Sequence, residues 1–484
     1  MRMNSPGEKQ SYRIEILTLL VAFLLSRALL AFRGIHLRYE ALSVYWQYLD
    51  IETLRHHLLR GLWFDHSQPP LFNLLLGLVL KMAGSYAPAV FNGLLHLISL
   101  INCLLLFTLL KSTVPNRYIP ILVTLVYLLS PALMIFESEL FYTTFISMLL
   151  LISGFFLVRM DTDSRQPANT GPGRQSRRQW GNIIGICLPM LMLCLTRSMY
   201  HLLWLVLVGA VLLYRVRKTN AFSKLLAGLS FCLLLTAGWY CKNYMIFGQF
   251  SASSWIGMNF ARTVFYDHYS ADSSRIETIE PFSDLRYYRP FIHEDAEKKF
   301  AGLDDRDLIQ EVKNDSLRNL NQIDYLEISR EYMAASKAYI KAQPFHYAKN
   351  VLKAGITFFA PATRYPYSEP EAAKIKYYDL LYSFNLSELA KGLRQRKIAL
   401  LISAIPKMLV YLAVFWILLN DAYRRKEMTA LNLFIFCTIG FVFLVSSLIE
   451  HSENMRFRYE IEPLFLVLLG QALAIWRKPV KGNI

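Results

Sequence analysis

The sequence predicts an α-helical polytopic membrane protein: about ten transmembrane helices, an interfacial helix on the outer side and a mainly helical outer segment. Three observations predict it. Hydrophobic residues fill 54% of the 484 positions and charged residues only 18%, at a mean hydropathy of +0.29, too apolar for a soluble domain of this length. The apolar residues gather in runs of spanning length. The Lys and Arg behind the formal net charge of +16 sit at the ends of those runs, as the orientation of spanning helices requires. A nucleic-acid binder would collect that charge in one solvated stripe, so no nucleic-acid partner is expected.

The first run follows a basic N-terminus and continues to Phe32 without a small-residue cleavage site, so it reads as a retained span. Ten segments reach spanning length, at about 14–32, 89–110, 118–136, 140–158, 182–196, 199–214, 225–240, 398–419, 430–449 and 461–476. The run 71–82, after Pro69 and Pro70, is too short and suits an interfacial or re-entrant helix. Charge supports leaving it out. Without it every short cytoplasmic segment is basic, including the Arg-rich loop 159–178, and both termini are cytoplasmic. Five of the six cysteines lie inside apolar runs and Cys241 ends one, so neither a disulfide framework nor a CxxC metal site is present.

The chain divides into an N-terminal transmembrane module, 1–240, with a first outer loop at 33–84; an outer, mainly helical segment, 241–397; and C-terminal transmembrane helices, 398–484. The outer segment shows helical patterns near 304–320 and 324–342, then an amphipathic stretch opened by Pro344 and running to Phe359. The stretch 166–175, rich in Pro, Gly and Ser/Thr, reads as a cytoplasmic loop.

Chemistry concentrates in the segments that face outwards. In the first, Asp50 stands among aromatic and aliphatic residues beside the membrane surface, where a partly desolvated carboxylate suits a general base. Trp46, Tyr48 and Trp63 read as interfacial anchors. A divalent metal held by His56, His57 or His66 with Asp50 or Asp65 is a candidate, although the spacing matches no zinc motif. The turn Glu137-Ser138-Glu139 puts two carboxylates at the bilayer surface, which is costly unless they face a cavity, a cation or a donor. In the last outer segment Arg456 and Arg458 are cations on the outer side; they suit either a phosphate or pairing with Glu450, Glu453 and Glu460. Arg197 and the pair Lys242-Asn243 are further phosphate candidates. Arg27, His96 and Lys407 lie within spans, where charge is functional unless it snorkels or is satisfied in the core.

Together Asp50-Ile-Glu52, His66-Ser-Gln-Pro-Pro-Leu71, Glu137-Ser-Glu139 and Arg456-Phe-Arg-Tyr459, in this order and topology, resemble the GT-C glycosyltransferases. Within them the chain looks most like the protein O-mannosyltransferase and lipid A aminoarabinose transferase branch, and 338–359 also looks like a family stretch. The resemblance implies a GT-C-like bundle and a polyprenyl-phosphate-linked sugar as donor. It also implies transfer with inversion to an acceptor hydroxyl on a lipid, glycan or protein. It makes Asp50 the base, with Glu52 as its substitute, sets Glu137 or Glu139 to position the substrates, and gives the leaving phosphate to Arg456 or Arg458. His66, Gln68, Arg197, Lys242 and Tyr459 complete the expected lipid-phosphate site. The chain departs from the family where Ile51 separates Asp50 from Glu52 and where Gln68 precedes the two prolines. The expected location is a bacterial inner membrane, with the site facing the periplasm or exterior. A transporter of lipid-linked glycans and a non-catalytic envelope scaffold are the rival functions. No inverted repeat supports the first.

Overall fold

The computed structural model describes residues 6–164, 172–265, 310, 313, 319, 321–365, 369–383, 396–451 and 453–476, and these form helices joined by turns. In chain order the helices that matter are α1 (Pro6–Phe32), α2 (Ile51–His56), α3 (Leu71–Ala83), α4 (Ala87–Thr113), α5 (Ile119–Leu128), α6 (Pro131–Phe136), α7 (Thr143–Ser164), α8 (Pro172–Thr196), α9 (Leu202–Val216) and α10 (Phe222–Phe247). They continue with α11 (Ile256–Val264), α12 (Asp324–Ala342), α13 (Pro344–Phe358), α14 (Arg396–Arg425), α15 (Ala430–Ile449), α16 (Asn454–Glu460) and α17 (Glu462–Trp476). The outer-segment patterns at 324–342 and from Pro344 are thus helices; the pattern at 304–320 lies outside the described residues, apart from three isolated positions.

Among the described residues, seven helices are long and apolar enough to cross a membrane, and the pair α16–α17, bent by 61°, makes an eighth if taken as one span. Their outer faces are apolar: Leu17, Val21, Leu24, Leu25 and Leu29 are all exposed along α1. That spacing is one face of a helix, and such a stripe is stable against lipid and not against water. The protein is a polytopic helical membrane protein.

One expected span is corrected. The segment 118–136 is not one helix but α5 and α6, because Pro131 pushes Ser130 into an extended conformation (ψ 126°). The last expected segment, 461–476, is α17, and the bend at Ile461 separates it from α16, where Pro463 has no N–H to offer the preceding turn. Of the ten expected segments, three match helices below spanning length: α5 at 10 residues, and α9 and α17 at 15 each, α17 reaching it only together with α16.

Contacts along α1 and α4 set these two helices side by side. Lys111 of α4 meets Glu15 of α1 at 2.8 Å, and Tyr12 meets Phe107, at one end. At the other end Tyr39 meets Phe91, so α4 enters beside the outer end of α1. The start of α3 is tied to that same end: Asn73 accepts from Leu49 N (3.2 Å) and donates to Asp65 Oδ2 (3.0 Å). The 13 residues of α3 extend only about 20 Å, less than a hydrocarbon core. Gly84, at φ +53°, makes the break between α3 and α4.

The bundle is pinned by charge. Glu137, fully buried after α6, receives Arg27 Nε at 2.7 Å and Nη2 at 2.8 Å, while Arg27 Nη1 donates to the Leu128 carbonyl left open by the α5–α6 break. Nearer the outer segment, α11 and α12 touch at Gly257, where a Cβ would overlap the Ser329 carbonyl and Gly257 N–H donates to Ser329 Oγ at 3.0 Å. Breaking one half of the buried pair should cost more than removing both. In detergent, Arg27→Met is expected to lose about 3–5 kcal/mol, with most of it recovered in Arg27→Met/Glu137→Leu. Equal melting of wild type and Arg27→Met would show that the pair bears no structural role.

Candidate active site

A cavity of about 620 Å³ opens at the end of the bundle that holds Glu137 and Glu139. It is built from distant parts of the chain. The turn before α2 brings Tyr45, Trp46 and Gln47; the loop after it brings Gln68; the end of α8 brings Arg197; α11 brings Arg262; and the junction of α15 with α16 brings Glu450, Glu453 and Arg456. Phe141, Tyr142, Trp255 and Tyr365 supply aromatic walls, and Val445, Ile449, Phe250 and Ile256 an apolar side.

The polar floor is an arginine–carboxylate lattice. Arg456 Nη2 lies 2.5 Å from Glu453 Oε2, and its Nη1 is 3.8 Å from Glu460. Arg197 pairs with the same Glu460. Phe457 lies between the two cations, its ring centroid 4.0 Å from the Arg197 guanidinium and 5.0 Å from that of Arg456, which also lies over Phe141 and Tyr365. Arg262 reaches Glu450 at 3.5 Å. Arg197 and Arg456 are 4% exposed each, so both are held without bulk water. The short helix α16 is stapled at both ends: Asn454 Nδ2 donates to the Ser446 and Glu450 carbonyls, and Ser147 of α7 donates to the Glu460 carbonyl.

Other expected site residues support the walls without lining the cavity. Asp50 caps α2, its Oδ1 accepting from Glu52 N at 2.8 Å. Glu52 is half-exposed and pairs with Arg55 and His56. Glu137 is consumed by Arg27, while Glu139 accepts from Tyr45 OH at 2.5 Å and is reached by Arg38 at 3.4 Å. Arg458 pairs with Glu462 one turn on, so the two arginines of the Arg-Phe-Arg motif serve different sides of α16 and make no joint fork. Tyr459 stacks on Phe136 at 4.9 Å.

His66 and Lys242 act on the loop that carries Gln68. Lys242 Nζ donates to the Asp65 carbonyl at 2.6 Å and lies over Trp239. Asp65 itself, fully buried, accepts from Ser67 N, Ser67 Oγ, Gln68 N and Asn73 Nδ2. Burial raises its pKa, with Lys242 and these donors opposing. His66 Nδ1 meets Ser254 Oγ at 2.8 Å and Ser254 N donates to the His66 carbonyl; burial holds the ring neutral, its pKa lowered to about 3. Ser253 Oγ donates to the Ser67 carbonyl at 2.5 Å. Two loops far apart in sequence thus become one wall. Among the described residues no group of three or more His, Cys, Asp or Glu side chains is placed to hold a metal ion.

Sequence reasoning missed Arg262. It sits on a short helix in the long outer segment, where the only signal is a cation on the side that otherwise favours acidic or mixed charge. Glu450 and Glu453 were expected only as partners of the arginines, yet both line the cavity.

No family model and no curated protein matches the chain. Among solved structures it is similar to the crystal structure of ArnT from Cupriavidus metallidurans in the apo state, with 14% identity, 94% of this chain and 76% of that chain covered, and a TM-score of 0.33.

Glu139 makes the fold sensitive to pH. Burial raises its pKa from 4.5 to about 7, opposed by Tyr45 and Arg38. The folded chain holds a proton that the unfolded chain releases, so this contribution to stability is full below pH 4.5 and is lost as pH rises through about 7. Glu139→Gln is expected to flatten the melting temperature across that window and to melt above wild type at higher pH. An unchanged slope would assign the pH dependence elsewhere.

Proposed function

We propose that this protein is a membrane glycosyltransferase of the GT-C type. It moves a sugar from a polyprenyl-phosphate donor to an acceptor hydroxyl on the extracytoplasmic side, with inversion. The observation that carries the reading is the meeting of two buried arginines, Arg197 and Arg456, at the wall of one cavity with an apolar side. A glycosyl phosphate leaves by gathering negative charge on its bridging oxygen. Guanidinium groups fixed at that point, in a site shielded from water, stabilise the charge without reorganising. The three arginines of the cavity are balanced by Glu450, Glu453 and Glu460, so an arriving phosphate exchanges with carboxylates already in place. The aromatic walls suit a sugar ring, and the side formed by Val445, Ile449 and Ile256 suits the start of a prenyl chain.

The resemblance noted in the sequence supports the same reading through the order of its motifs. In this reading Arg456 and Arg197 take the phosphate role, with Arg262 beside them, and Gln68 meets the substrates. Asp50, Lys242 and His66 hold the loops that form the wall. The membrane is a bacterial inner membrane with the cavity facing the periplasm.

The test measures release of polyprenyl phosphate from a panel of labelled polyprenyl-phosphate sugars, supplied with membrane acceptors. Wild-type membranes are expected to release it, and Arg456→Gln to lower kcat by about 10²–10³-fold, the scale for losing one donor to developing charge. Movement of intact sugar lipid across the bilayer without release would establish a transporter instead. Neither release nor movement would leave the scaffold reading.

A further inference from the structure

We propose that Glu450 is the proton acceptor of the transfer, taking the proton of the attacking hydroxyl; this rests on the glycosyltransferase reading above. Among the described residues, the carboxylates that line the cavity are Glu450 and Glu453. Glu453 is clamped to Arg456 at 2.5 Å, and although burial works the other way, Arg456 and Arg262 keep its pKa low, which makes it a poor base. Glu137 and Glu139 are engaged behind the wall, and Asp50 caps α2. Glu450 lines the cavity, unlike Glu137, Glu139 and Asp50, and its Oε1, which also accepts from His451 N at 3.1 Å, stands farther from its arginine (3.5 Å) than Glu453 does from Arg456 (2.5 Å). It follows the last turn of α15, with its own N–H donating to the Ser446 carbonyl, and is 8% exposed.

The charged groups around it come from each neighbouring element. Arg262 of α11 stands 3.5 Å from Oε1, Glu453 and Arg456 approach from α16, His451 is the next residue, and His201 at the start of α9 lines the same cavity. Burial outweighs the arginines and moves the carboxyl to about 7, where a general base works best near neutral pH. In the reaction the acceptor oxygen forms a bond to the anomeric carbon as the carbon–oxygen bond to phosphate breaks. The electron pair leaves on the phosphate oxygen, facing Arg456 and Arg197, and the acceptor proton passes to Glu450, from which solvent later removes it.

The experiment compares wild type, Glu450→Gln, Glu450→Asp and Asp50→Asn in detergent, measuring donor binding and the pH profile of kcat. Wild-type kcat is expected to rise with pH through about 7. Glu450→Gln is expected to bind donor at least as tightly as wild type, since Arg262 loses its competing carboxylate, yet to lose about 10²–10⁴-fold in kcat and lose that rise. Asp50→Asn keeps the rise at reduced kcat. If Glu450→Gln does not fold, Glu450→Asp decides: a lowered kcat that still rises with pH, at a displaced midpoint, supports the assignment, and an unmoved profile overturns it. A Glu450→Gln enzyme that keeps the rise overturns the assignment while leaving the transferase standing. Wild type without any transfer overturns both.

Discussion

A guanidinium inside an apolar bundle must be neutralised where it stands, because neither water nor lipid will solvate it at modest cost. Arg27 and Glu137 meet that requirement for each other, and most of the architecture at this end of the molecule follows from their pairing. The pair ties α1 to the break between α5 and α6, and Arg27 also occupies the Leu128 carbonyl that the break exposes. Once Glu137 is fixed, Ser138 receives Arg38 N–H on its carbonyl and Glu139 is turned towards Tyr45. The cavity wall at Tyr45, Phe141 and Tyr142 is laid on that foundation.

The same rule, applied with one carboxylate for each arginine, makes the cavity itself. Arg197, Arg262 and Arg456 come from three helices, and Glu460, Glu450 and Glu453 meet them. An uncharged lining would ask nothing of the surrounding helices. A charged one forces α8, α11, α15 and α16 to converge, since each cation left unpaired at this depth would cost several kcal/mol. The result is a preorganised site whose groups already have partners and can exchange them.

Much of this was legible in the sequence. Apolar run length marked most of the long helices, because hydrocarbon thickness acts on local stretches of chain. Pro131 and Pro463 were visible, but their effect depends on whether neighbouring groups rescue the freed carbonyls, as Arg27 does at Leu128. At the site, Arg456, Arg197 and Gln68 could be singled out because cations and polar groups beside a membrane are conspicuous. Arg262, Glu450 and the separation of Arg456 from Arg458 could not. They depend on how α11 crosses α12 at Gly257 and on which face of α16 turns inwards, both properties of packing between segments remote along the chain.

That remoteness bears on biogenesis. Arg197 leaves the ribosome long before Glu460, its partner, and Lys111 long after Glu15. The early helices can associate as they are inserted, whereas Arg197 must wait at the membrane surface, paired only with headgroups or water, until the final bent helix arrives. A chain terminated before α16 would therefore carry a membrane-embedded bundle with a solvated arginine and no cavity floor, recognisable to quality control by that one uncompensated charge.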